Sequence, residues 1–151
     1  MPNLLELPSR PSINSKALKN TKQPSARIKL SESPTTAPIY IPITPVLIHT
    51  CVDYAVDDLY LWASNFSLTG NSRVLELEIG GDGTFSDDSK LLRIPISKEI
   101  GLVQIYPGIS HESVSIYARA DVADHLNIFG YAIRHYRINI ADADLGFDGS
   151  D

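Results

Sequence analysis

The groups in this 151-residue chain that can do chemistry are four histidines, one cysteine and a few acidic clusters. His49 and Cys51 stand two apart, on one face of a strand, and offer an imidazole nitrogen and a thiolate to a metal such as zinc. No further ligands accompany them at a metal-binding spacing, and His111, His125 and His135 form no such pair either. The run Asp82-Gly83-Thr84-Phe85-Ser86-Asp87-Asp88 gathers the oxygen donors that calcium takes. It lacks the spacing and terminal Glu of an EF-hand, so it reads as a solvated hairpin loop. Asp57-Asp58, ahead of an apolar run, reads as turn chemistry rather than as a carboxylate dyad. Ser110-His111-Glu112 contains the three residue types of a hydrolytic triad. Consecutive residues cannot form that relay with their own side chains, and no nucleophile elbow is present. Glycine-rich phosphate loops and dinucleotide fingerprints are absent too. The expectation is a protein with no cofactor and no bound metal that is not an enzyme.

The aromatic residues point instead to contact. Tyr60 and Trp62 share a strand face, and Tyr117, Phe129 and Tyr131 fall on two further strands. Together with Arg119 they form the candidate partner-binding sheet face, because aromatics and arginine are the usual anchors of protein interfaces. A carbohydrate-binding face would use the same Tyr and Trp side chains, and ordinary core packing is a third use for them.

The elements that must position these residues are short strands. Residues 113–134 hold two alternating runs, Val114/Ile116/Ala118 and Leu126/Ile128/Gly130/Ala132, joined by a polar corner at 121–124. Period-two alternation places each set on one face of a strand. The second run is apolar on its other face as well, through Phe129, Tyr131 and Ile133, which suits a central strand or one that presents a face to another chain. Further strands are predicted over 46–52, 59–65, 73–80, 90–97 and 102–107, with turn signals at 69–71, 80–83 and Pro107-Gly108. In these, Leu59/Leu61/Ala63, Leu75/Leu77/Ile79 and Leu92/Ile94/Ile96 face inward, while Glu76, Glu78 and Arg93 face outward. Seven short strands without helical periodicity make an all-β domain, a β-sandwich or jelly roll, over residues 45–140.

Residues 1–44 differ in texture. Eight of the ten prolines fall at or before Pro45, so neither a helix nor a paired central strand is expected to run far there. An extended N-terminal arm is predicted, with apolar and basic anchors spaced for a partner: Leu4, Leu5, Leu7, Arg10, Ile13, Leu18, Arg27, Ile28, Leu30, Ile39 and Tyr40. Residues 141–151 read as an acidic C-terminal tail. The net charge of −5 is unevenly spread: residues 1–40 carry six basic and two acidic residues, the remainder seven and sixteen. A basic arm on an acidic body can reach an acidic protein surface, including one on another copy. Its cations are too thinly spread for nucleic-acid binding to be expected. No run approaches the roughly 18 apolar residues of a membrane span, and no apolar secretory signal opens the chain. A lone cysteine excludes an internal disulfide framework.

Four segments, LYLWASN at 59–65, LELEIGG at 75–81, RIPISKEIGLVQIYPGI at 93–109 and SVSIYARADVADHLNIFGYAIR at 113–134, carry a resemblance. In order and texture this half of the chain resembles small all-β virion proteins of tailed bacteriophages, particularly those of cyanophages. The resemblance implies a structural β-sandwich of the particle, assembled in the host cytoplasm. The expectation drawn from it is a capsid decoration (cement) protein on the head surface, bound to the major capsid protein and clustered as a homotrimer. A neck, tail or fibre-junction component and a carbohydrate-binding module on the virion are the alternatives.

Overall fold

The computed structural model describes residues 24–32, 38–68 and 70–137. Nine strands are found among them: β1 (Ser25–Lys29), β2 (Ile39–Ile41), β3 (Val46–Thr50), β4 (Ala55–Asn65), β5 (Arg73–Ile79), β6 (Leu91–Ile96), β7 (Leu102–His111), β8 (Ser115–Ala120) and β9 (Leu126–Tyr136). They form two antiparallel sheets, one in the order β1-β9-β4-β7 with β2 also on β9, the other β3-β8-β5-β6. This is an all-β fold.

The alternation in the sequence is what closes the two sheets on one core. Along β4 every second residue is buried, so Leu59, Leu61 and Ala63 point inward while Tyr60 and Trp62 point out. Leu75 and Leu77 of β5, Ile116 and Ala118 of β8, and Leu126, Ile128 and Ala132 of β9 complete a single apolar cluster drawn from both sheets. Fully burying one such side chain contributes roughly 1.5–3 kcal/mol. Both strand prolines, Pro95 in β6 and Pro107 in β7, lie on terminal strands, where a missing amide breaks no ladder on the open side. As its two apolar faces suggest, β9 lies inside its sheet, between β4 and the short strands β1 and β2.

The structure departs from the sequence reading in five places. The segment expected to be an arm supplies β1 and β2, and Leu30 and Ile39 are 0% and 6% exposed in the shared core. The domain therefore takes in residues from 24 onward. Asp57 and Asp58 lie within β4 rather than in a turn, with Asp57 in the inward register of Leu59. Pro107-Gly108 forms a bulge inside β7, not the end of a strand; the register slips there, and Gly108 takes φ +83°. Glu78 points outward as expected yet is buried, because the loop after β5 folds back over it. Leu92 keeps the inward register opposite Leu77 but stays 41% exposed, since β6 is the last strand of its sheet. Residues 1–23 and 138–151, including Leu4, Leu5, Leu7, Arg10, Ile13 and Leu18, lie outside the described residues.

Candidate functional site: an aromatic sheet face

The outward side of the β1-β9-β4-β7 sheet gathers the aromatic residues. Pairing of β4 with β9 sets Tyr60 opposite Tyr131 and Trp62 opposite Phe129. Cross-strand aromatic pairs of this kind stabilise a sheet by up to about 1 kcal/mol each. The Tyr60 and Tyr131 rings stack with centroids 5.1 Å apart, and Trp62 stacks on Tyr131 at 5.8 Å. From β1, the Arg27 guanidinium lies 3.9 Å from the Tyr131 ring centre, a cation–π contact. Tyr60 can lie as it does because Gly108 leaves room: a Cβ there would sit 2.6 Å from its ring. Similarly, a side chain at Gly130 would collide with the Tyr60 carbonyl oxygen at 2.3 Å. At the far end Tyr40 meets Phe66 edge-on at 5.8 Å, and Tyr40, Phe66 and Phe129 are 60%, 41% and 39% exposed.

Of the predicted contact residues, Arg27, Tyr40, Tyr60, Trp62, Phe129 and Tyr131 thus share this sheet, on or beside one surface. Tyr117 and Arg119 do not join them. Both belong to β8 in the other sheet, where Arg119 bonds Glu76 at 2.8 Å and stacks on Phe85. The loop at Gly83 closes over Tyr117, with room for only a tight Cβ contact of 3.0 Å. Ile28 packs against the core, and Leu30 and Ile39 are part of it, so they anchor the chain to itself rather than to a partner. The rings of Tyr60, Tyr131 and Trp62 stand against one another and share their faces.

The acidic loop uses its carboxylates internally. Glu78 accepts from the Gly83 and Phe85 amides at 2.7 and 2.8 Å, Asp82 from Thr84, and Asp87 from Ser89. These bonds build a turn rather than a calcium cage.

A second site escaped the sequence reading. Between the sheets, Asp57 accepts two bonds from Arg134 at 2.7 Å and one from His49 Nε2 at 2.8 Å. His49 Nδ1 accepts from the Ser31 amide at 3.0 Å, which leaves Nε2 to donate to Asp57. The Ser31 hydroxyl lies 2.9 Å from the same Nδ1 and accepts from the Thr50 amide. Four residues from four segments are tied together, and the turn after β1 is pinned to β3. The visible signal was Asp57 at an inward position of a strand, where a carboxylate must have partners.

Cys51 adds a third donor, and the His49, Cys51 and Asp57 ligand atoms lie within 4.8 Å of one another. The ligand missing from the sequence reading is therefore Asp57. The chemistry does not fit a cation, however. Both Asp57 oxygens are held by a guanidinium, and burial, followed by the Asp57 charge, pushes the Cys51 thiol up to about 11. The cluster is a closed polar brace. Cys51 is expected to react with a thiol reagent at least about 10-fold more slowly in the native protein than in urea, because the raised pKa cuts its thiolate fraction about 100-fold while intrinsic nucleophilicity rises with pKa. Disulfide-exchange kinetics at pH 8 measure this; equal rates would mean that the strand end opens freely.

No family model, curated protein or solved structure matches the chain.

Proposed function

We propose that the protein is a structural component of a tailed-phage virion, a capsid decoration protein that binds the major capsid protein through the aromatic face of its larger sheet. The observation that carries the docking step is the cluster of Arg27, Tyr60, Trp62, Phe129 and Tyr131 on one outward surface. Aromatic side chains give large contact area at low cost in conformational entropy, and arginine adds a planar charged group that stacks and hydrogen-bonds, which is how interface hot spots work. The resemblance of residues 59–134 to all-β virion proteins supports the location. Residues 1–23 carry the basic and apolar anchors that remain for a neighbouring subunit, and several copies clustered as a trimer would act together.

Copy number tests the location. Quantitative mass spectrometry of purified particles is expected to give a ratio to the major capsid protein of order one. A few to a few dozen copies per particle would move the protein to the neck or tail, and absence from the particle overturns the reading. The face itself is tested by Trp62→Ala and Tyr131→Ala. Each is expected to weaken binding to empty shells by roughly 30-fold, the effect of losing a hot-spot aromatic, while unfolding stays cooperative. Unchanged shell binding in both variants would remove this face from the docking step.

A further inference from the structure

The outward face of the larger sheet is ordered in rows, because Asp58, Tyr60, Trp62 and Ser64 of β4 each pair with β9 on one side and β7 on the other. The first row sets Arg27 of β1 beside Ile133 and Asp58, and the second sets Tyr131 beside Tyr60. The third sets Phe129 beside Trp62, and the fourth sets Tyr40 of β2 beside Asn127 and Ser64. Aromatic rings fill the middle, with charged groups at one end and neutral ones at the other. Asp58 comes to the face already bonded, to His135 at 2.7 Å and to Ser110 at 2.5 Å. Lys29, opposite Tyr131, is also engaged already and is given no role here. Arg27 is exposed beyond its contact with the Tyr131 ring.

A twofold axis in the plane of the face, running across the strands, makes this order complementary to itself. It lays the first row on the fourth and the second on the third, as an isologous contact requires. Tyr60 then meets Trp62 of the second copy, Tyr131 meets its Phe129, and Arg27 meets its Tyr40, which is 60% exposed in the single chain. Asp58 meets neutral Ser64. The two Asp58 carboxylates stay about 20 Å apart, the span from Asp58 to Ser64 along β4. That is twice the Debye length of about 10 Å at 0.1 M salt. A twofold axis along the strands, between β9 and β4, would instead lay each row on itself and set Ile133 against Asp58. It would bring the two carboxylates to about 11 Å, given strands about 4.8 Å apart and facing sheets about 10 Å apart. The area also suits a stable pair. A face four strands wide and 11 residues long along β4 covers about 700 Å², close to the roughly 800 Å² per partner of a standard interface.

We propose that the free protein is a dimer closed through this face, with the twofold axis crossing β4 and β9 at Leu61 and Gly130, which pair with each other. The second copy covers the aromatic rows before assembly. Docking on a shell needs the same face, so the pair must part first; that consequence rests on the docking function proposed above.

Sedimentation velocity and native mass spectrometry of the full-length protein test the pair. Two chains of 16.6 kDa are expected to travel together at micromolar concentration and to separate on dilution. Phe129→Asp, at a residue 39% exposed in the single chain, should weaken the dimer at least about 100-fold and leave the urea midpoint nearly unchanged. Position 64 reads the register. Ser64→Lys sets a cation against Asp58 of the second copy and should tighten the dimer, whereas Ser64→Asp should weaken it. Each change is expected to be about 10-fold, because the contact occurs twice. An axis along the strands would bring the two copies of residue 64 together, so that both variants weaken the dimer. A single chain at every concentration, a trimer of the free protein, or a dimer indifferent to Phe129→Asp overturns the proposal. Equal shifts from the two Ser64 variants overturn its register. Shell binding separates this proposal from the docking function. If the dimer forms but the wild-type protein binds no shells, the docking function fails and the dimer stands. If shell binding needs Trp62 but the free protein is a single chain, the dimer fails and docking stands.

Discussion

Replacing Asp57 by alanine is expected to destabilise the protein by about 3–5 kcal/mol, the usual cost of stranding one partner of a buried ion pair. Asp57 is 0% exposed, and its removal leaves the Arg134 guanidinium and the His49 Nε2 proton without their acceptor. The urea midpoint at pH 7 measures the loss. A change under 1 kcal/mol would mean that water or a neighbouring group replaces the carboxylate, and that the brace is not structural. Asp57→Asn keeps the shape and isolates the charge. Burial pushes the Asp57 carboxyl up, but hydrogen bonds from Arg134 and His49, with the guanidinium charge, hold it below its ordinary value. A carboxyl whose folded pKa is depressed stabilises the protein above the unfolded carboxylate range and loses that contribution as pH falls through the folded value. The wild-type protein should therefore lose stability from about pH 4 downward, and the Asp57→Asn variant should lose less over that window. Glu76, which burial pushes up but Arg119 and Arg93 hold below its ordinary value, adds to the acid loss in both proteins.

The second large effect comes from where the chain is cut. Deleting residues 1–23 is expected to leave the sandwich folded with a nearly unchanged urea midpoint, because every strand and every core residue named above remains. Deleting residues 1–40 removes β1, Leu30 and Ile39 together, and most of β2. Each of those two buried side chains is worth about 2–5 kcal/mol on truncation, and a whole domain has only about 5–15 kcal/mol to lose. The shorter chain should lose its cooperative transition in circular dichroism and fluorescence melts. If it still folded with the midpoint of the intact protein, β1 and β2 would be ornaments on a core that closes without them. Loss of shell binding on deleting 1–23 alone, with folding intact, is the result expected for residues that serve only as partner anchors.

The sequence by itself determined the fold class and the facing of most strands. Period-two alternation in β4 and β5 left no choice of face, since a one-residue slip would turn Leu59, Leu61, Leu75 and Leu77 out to water. It also marked Tyr60, Trp62, Phe129 and Tyr131 as a shared resource, because alternation put each of them opposite the core. Which strand lies beside which is not a local property, however. Only the tertiary structure decided that β4 and β9 are neighbours, and so placed those four aromatics on one sheet while Tyr117 and Arg119 went to the other. Only it showed that Ile39 pairs with β9 and that Leu30 buries in the shared core, although both are flanked by prolines and serines that argue for an arm. Short edge strands are held by the neighbour they dock on rather than by their own pattern. The Asp57 brace was hidden for the same reason: Arg134, 77 residues away, is its neighbour on the adjacent strand, His49, 8 residues away, belongs to the other sheet, and no spacing along the chain encodes either contact.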